Sequence, residues 1–352
     1  MVEIINGIQQ IGLGVSNTKE VFNWYRKYLG FDILLFRDEA TASLMTKYTN
    51  GKAERRDAYL SLNMKGGGGL EIWQFKDRIP VAPKTPVRFG DFGINAMKLR
   101  SADIHASHAA LQKINLPYLG ILDSNGTKVG FYFTDPWGNN VEVVEDGYSF
   151  SKSNTYNGGV LGVIIGVSDM ERSLKFYQKL LGYKNVISDG SIEINTSATA
   201  NKSEKFRQVI LEHSRPKIGG FGELLGPTQI ELLQALDREA VKIYKDRVWG
   251  DLGYIHICFD VQGMDILRDK AAHLNHPFTV DSAQSFDMGD AAGHFSYIED
   301  PDGTLIEFVE THKVPIIKAM GLFLNLKKRN PEKPLPKWLV KTLRLHKISK
   351  NI

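Results

Sequence analysis

The chain has 352 residues, of which 42% are hydrophobic and 24% charged, with a single cysteine, Cys258. That composition excludes a disordered, collagen-like or disulfide-stapled protein, and the length suggests two domains. No run approaches the ~18 apolar residues of a membrane span, and Met1–Gly14 has no basic-then-apolar leader, so the expected compartment is the cytoplasm.

The formal charge of +4 is unevenly spread. Residues 313–352 hold eleven Lys/Arg and one acid, Glu332, for +10, so residues 1–312 carry −6. A nucleic-acid partner would rest on the tail alone, and neither nucleic acid nor membrane is expected as a partner.

In chain order, Ile8–Ser16 reads as a strand running into a helix cap at Ser16-Asn17. The helix Val21-Phe-Asn-Trp-Tyr-Arg-Lys-Tyr-Leu follows and stops at Gly30, where a left-handed residue is needed. The same pattern returns 152 residues later: Val160–Ser168, a cap at Ser168-Asp169, Ser173-Leu-Lys-Phe-Tyr-Gln-Lys-Leu-Leu and Gly182. A second pair of units lies between and after these. Gly93-Ile-Asn-Ala-Met-Lys-Leu-Arg100 matches Gly253-Tyr-Ile-His-Ile-Cys-Phe-Asp260. Each leads to a short helix and then to an Asp-Pro-x-Gly hairpin, Asp135-Pro-Trp-Gly138 or Asp300-Pro-Asp-Gly303. Four strand–helix–strand–strand–strand units therefore begin near Ile8, Gly93, Val160 and Gly253. Gly66–Gly69 lies between two strands, lacks phosphate-loop spacing, and reads as a flexible hairpin.

The expected fold is α+β: four βαβββ modules paired into two cup-shaped barrels, with a C-terminal helical tail. The expected boundaries are 1–148 for the first two modules, 149–159 for a linker, 160–311 for the last two modules and the active cup, and 312–352 for the basic tail. Val314–Leu326 and Pro336–Ile348 read as helices. The tail's Ile316, Ile317, Leu322, Phe323, Leu324, Trp338, Leu339 and Leu343 are too many apolar groups to leave in water, so the tail is expected to dock on the body.

The helix stretches and the Asp-Pro-x-Gly-x-x-x-Glu hairpins give the chain a resemblance to the vicinal oxygen chelate superfamily over about residues 8–310. That superfamily includes glyoxalase I, bleomycin-resistance proteins, epimerases and type I extradiol dioxygenases. The four-module length resembles the dioxygenases. The resemblance implies metal ligands on the first and last strands of each module. It also implies a small-molecule substrate with two adjacent oxygens, and dioxygenase-like chemistry. Glyoxalase-like lyase or isomerase chemistry and non-enzymatic binding of the resistance type are the alternatives, and a homodimer stays open.

Strand alternation tests the candidate ligands. Tyr254, His256 and Cys258 share one face, as do Leu305, Glu307 and Val309, and Gln229 and Glu231 share another. With sequence-adjacent modules as cup partners, Glu231, His256 and Glu307 converge on one divalent ion: Fe, Mn, Ni or Zn. The remaining position of that cup falls on Gly162, which cannot ligate. The other cup offers Gln10, Glu71, Ala96 and Glu142, with Lys98 in phase to neutralise Glu71 and Glu142. Tyr297, ten residues before Glu307, is the candidate catalytic residue by resemblance, and packing is its plain alternative. For His256 the plain alternative is a hydrogen-bonded interior histidine.

Overall fold

The computed structural model describes residues 3–121, 129–195, 203–283, 286–288, 291–317 and 322–352. Unit one comprises β1 (Ile4–Gly14), α1 (Thr18–Leu29), β2 (Ile33–Thr41), β3 (Arg55–Leu62) and β4 (Gly69–Phe75). Unit two comprises β5 (Gly93–Ser101), α2 (Ile104–Leu111), β6 (Tyr118–Leu119), β7 (Gly130–Thr134) and β8 (Asn140–Glu145). Unit three comprises β9 (Asn157–Gly166), α3 (Met170–Lys179), β10 (Asn185–Asn195), β11 (Ser203–Glu212), a one-turn α4 (Gly222–Leu225) and β12 (Gln229–Ala235). Unit four comprises β13 (Gly253–Gln262), α5 (Met264–His273), β14 (Val280–Asp281), β15 (Phe286–Met288), β16 (Ala291–Glu299) and β17 (Leu305–Thr311).

The helix ends follow the residue chemistry. Asn17 and Asp169 accept from the backbone N–H three residues on, at 3.1 and 3.0 Å. Gly30 and Gly182 take φ of 78° and 76°.

The sheets do not pair the units in sequence order. One sheet runs β14-β16-β17-β13-β1-β4-β3-β2, joining unit one to unit four, and the other runs β10-β11-β12-β9-β5-β8-β7-β6, joining unit three to unit two. The seam of the first is the antiparallel pair β1 and β13, with Gln10 opposite Cys258 and Gly12 opposite His256. The expected pairing of adjacent units is thus corrected: each cup joins units from opposite halves of the chain.

Adjacent units meet through their helices instead. Tyr25 of α1 donates to the Asp135 carboxylate of the unit-two hairpin at 2.7 Å, and Tyr177 of α3 donates to Asp300 of the unit-four hairpin at 2.9 Å. Burial pushes Asp135 up, and pushes Asp300 up to about 6. One apolar core runs between the two sheets and takes residues from all four units, among them Phe22, Met97, Tyr177 and Phe308.

Gly66–Gly69 belongs to this close packing rather than to a flexible turn. Gly68 bridges Val160 of β9, and a Cβ on Gly67, at φ 117°, would lie 2.6 Å from the Gly159 carbonyl carbon.

The tail docks, but its first part is not helical. β18 (Lys313–Ile317) and β19 (Leu322–Asn325) form an antiparallel hairpin. The side chains of residues 314–323 lie outside those described, which includes Ile316, Ile317, Leu322 and Phe323. β-branched residues and Pro315 suit the extended form. The second part holds a short helix, α6 (Lys337–Lys341), and a 3-10 turn, Thr342–His346. Leu326, Leu335, Leu339 and Val340 are buried against Ile33, Leu62, Met64 and Phe150. Lys337 pairs with Glu223 at 3.1 Å, Lys347 pairs with Asp32 at 2.9 Å, and the Ile348 N–H donates to the Asp32 carbonyl. Trp338 and Leu345 remain exposed. No helix among the described residues is long and apolar enough to cross a membrane.

The helix-to-hairpin bonds yield a measurable expectation. Tyr177→Phe removes the hydroxyl that stabilises the ionised Asp300, so it costs about 2 kcal/mol at pH 8. At pH 5 the loss is smaller, because Asp300 then carries a proton and has less charge to satisfy. Urea unfolding at the two pH values reads the difference.

Candidate metal centre

Four adjacent strands at the middle of the first sheet, β17, β13, β1 and β4, each place one side chain on the concave face. These are Glu307, His256, Gln10 and Glu71. The ligand atoms of Glu71, His256 and Glu307 all lie within 4.8 Å of one another. His256 Nε2 stands 3.1 Å from Glu307 Oε2 and 3.4 Å from Glu71 Oε2. The Gln10 amide donates to the same two carboxylates at 3.4 and 3.5 Å. Gly12 makes room for the imidazole, since a Cβ there would lie 2.4 Å from the ring.

His256 and Glu307 therefore meet as expected, but Glu231 does not join them. It lies in the other sheet, and Glu71 takes its place. Residues 71 and 10 stand at the right positions of their unit, yet sequence adjacency assigned them to the other cup. Donor chemistry was the available signal: pairing units one and four yields a complete Gln-Glu-His-Glu set, whereas pairing units three and four leaves glycine at one position.

The residues fit a metal ion. His256 Nε2 and Gln10 Oε1 are buried without a hydrogen-bond partner. Two carboxylates and an imidazole nitrogen converge on one point, and turning the Gln10 amide over adds a neutral oxygen. Burial opposes charge on the imidazole, but Glu307 and Glu71 outweigh it and raise the His256 pKa to about 9. A proton on the ring thus provides the countercharge that an ion would otherwise supply.

Tyr297 is buried, and its hydroxyl lies 3.4 Å from His256 Nδ1, on the side of the ring away from the carboxylates. From there the hydroxyl can orient the imidazole ring and fix its tautomer. Around these groups the concave wall is aromatic. Trp73 packs on Trp249 with centroids 4.5 Å apart, and Trp249 packs on Tyr297 at 6.4 Å.

The second cup repeats the layout with different chemistry. Its four positions, on β8, β5, β9 and β12, are Glu142, Ala96, Gly162 and Glu231. Lys98 Nζ lies 2.9 Å from Glu142 Oε2 and also bonds Glu231, which accepts from Gln208 Nε2 at 2.6 Å as well. Lys98 therefore stands in for a cation as anticipated, but with Glu231 rather than Glu71. Burial alone would lower the Lys98 pKa, and the two carboxylates hold it well above the usual lysine value. Burial raises Glu142 despite Lys98.

With this geometry in place, comparison with known proteins decides the family. The profile of the Glyoxalase/Bleomycin resistance protein/Dioxygenase superfamily matches residues 7–143 and 159–308. The chain belongs to this superfamily. Among solved structures, glyoxalase I from Zea mays superposes with a TM-score of 0.54 at 13% identity, covering 88% of this chain and 92% of that one. A presumed dioxygenase from Bacillus subtilis gives a TM-score of 0.54 at 13% identity, covering 88% and 86%. At such identity these likenesses show the fold. No curated protein matches in sequence. Within the superfamily fold, this member carries one cup where Glu71, His256 and Glu307 converge and one whose centre is an ammonium group.

The lysine-centred cup gives a second expectation. Lys98→Met leaves Glu142 and Glu231 facing each other uncompensated and destabilises by about 3–5 kcal/mol at pH 7.5. The carboxylates then take protons in the folded state at higher pH than in the unfolded chain. The deficit accordingly shrinks as pH falls toward 5. Denaturant titrations of both proteins at the two pH values measure it.

Proposed function

We propose that this protein is a metal-dependent enzyme. In this reading Gln10, Glu71, His256 and Glu307 hold one divalent ion, Fe, Mn, Ni or Zn, and the substrate is a small organic molecule with two adjacent oxygens. The observation that carries it is the convergence of the Glu71 and Glu307 carboxylates on Nε2 of the buried His256. When bound, such an ion supplies Lewis acidity to the paired substrate oxygens.

The chain's own groups divide the remaining work. Tyr297 fixes the imidazole ring through Nδ1. The aromatic wall excludes water and strengthens the electrostatics inside the cup. A carboxylate oxygen of Glu71 or Glu307 that the ion does not take is assigned the task of accepting a proton from the substrate and returning it to a neighbouring atom.

The donor set supports glyoxalase-like isomerase or lyase chemistry over dioxygenation. Non-haem iron oxygenation commonly uses two histidines and one carboxylate. This cup holds one histidine among its four positions, and Tyr297 is engaged with that histidine. Non-enzymatic binding fits less well, because an apolar binding cup has no use for two buried carboxylates.

Metal analysis of the purified protein tests the reading. About one equivalent of ion is expected in the wild type and in Glu231→Gln. His256→Ala, Glu71→Gln and Glu307→Gln should each lose most of it, since removing a ligand weakens such sites strongly. Retention of metal by His256→Ala, or its loss only from Glu231→Gln, would overturn the assignment. Oxygen consumption with catechols should be absent, and proton exchange into a hemithioacetal or 2-keto substrate panel should depend on added metal.

A further inference from the structure

The C-terminal segment packs against β2 and β3, the outer strands of the sheet that carries the candidate ligands. On β3, Ala58, Leu60 and Leu62 share the concave face. Leu60 pairs directly with the ligand strand at Glu71, and Leu62 pairs with Ile33 of β2. Leu62 thus lies one alternation, about 7 Å along the strand, beyond the ligand layer. It is there that Leu326, Leu335, Leu339 and Val340 pack, in one buried cluster with Ile33, Leu62 and Met64.

On the opposite side of the same end, the segment is linked to β1 through Gly219 and Gly220. Along β13 the concave face runs His256, Cys258, Asp260. Asp260 is buried and accepts from Asn6 and Gln9. Asn6 abuts Gly219, where an added Cβ would collide with its side chain. Gly219 donates to the Glu332 carbonyl, and Leu335 donates to the Gly220 carbonyl at 2.9 Å. The chain after β17 therefore spans from the β13 side of the cup to the edge strand β2, ending with Lys347 bridged to Ile33.

We infer that residues 326–348 form the end wall of the metal cup and determine how far a substrate can extend past the ligands. Leu335 and Leu339, buried in one cluster with Leu62 and Met64, anchor that wall. The wall is part of the site: removing it opens the ligand layer to water from that end. This builds on the metal reading above, but its test does not require a bound ion.

Cys258, the chain's one cysteine, lies on the concave face between His256 and Asp260 and is fully buried. Its reaction with N-ethylmaleimide reports whether this end is open. The full-length Leu335→Asp/Leu339→Asp variant undocks the segment, which trypsin cleavage at Lys327–Arg329 verifies and circular dichroism separates from global unfolding. Labelling of Cys258 should become at least about tenfold faster than in the wild type, as expected for local opening. The milder Leu335→Ala should give an intermediate rate if the double variant fails to fold. Trp338→Ser, at an exposed position of the same short helix, should leave the rate unchanged.

An undocked, folded variant whose Cys258 stays as protected as in the wild type would overturn the proposal. Total Fe, Mn, Ni and Zn content measured on the same samples separates the two claims. A wild type that holds none of these metals but shows wall-dependent labelling would refute the metal reading alone. A full equivalent of metal with wall-independent labelling would refute the wall alone.

Discussion

The antiparallel pairing of β1 with β13 is the constraint on which everything else rests. It joins the first unit to the last and sets Gln10 and Glu71 on the same concave surface as His256 and Glu307. It also dictates the other sheet, because units two and three are then left to pair with each other through β5 and β9. Backbone hydrogen bonding along that seam, rather than any side-chain attraction, decides which carboxylates share a cup. Had unit one paired with unit two, Glu71 would face Lys98, and Glu231 would meet His256 and Glu307 beside Gly162, which leaves that set one side chain short.

The two cups show how little chemistry separates a ligand site from a structural ion cluster. Corresponding positions on β5 and β13 carry Ala96 against His256, and Lys98 against Cys258. In one cup an ammonium group sits between two buried acids. In the other that position is a neutral thiol, so the acids are left to a histidine and whatever ion it admits. A buried carboxylate pair needs a partner in either case. What differs is whether the partner is covalently part of the chain.

Much of this was legible in the sequence, and the failures have physical causes. Helix caps, left-handed glycine stops and Asp-Pro-x-Gly turns are local devices, and Asn17, Gly30, Asp169 and Gly182 behave as their chemistry requires. Strand alternation correctly placed His256 and Glu307 on a common face. Alternation carries no information about which strand lies alongside, however, so Glu231 was put where Glu71 belongs. The run from Lys313 to Asn325 misled for a related reason: short apolar stretches suit either a helix or a hairpin, and pairing between its own halves decided the matter.

The sheet topology also bears on how the protein acquires its structure. Gln10 and Glu307, which share the cup of the first sheet, are 297 residues apart in the chain, whereas Lys98 and Glu231 are 133 apart. On a ribosome, units two and three can complete their sheet before unit four has emerged. The cup of the first sheet cannot close until unit four has been made. The longest loop closure can then be made against a sheet already formed. A self-neutralised cup suits that order, since it can be finished without recruiting an ion from solution.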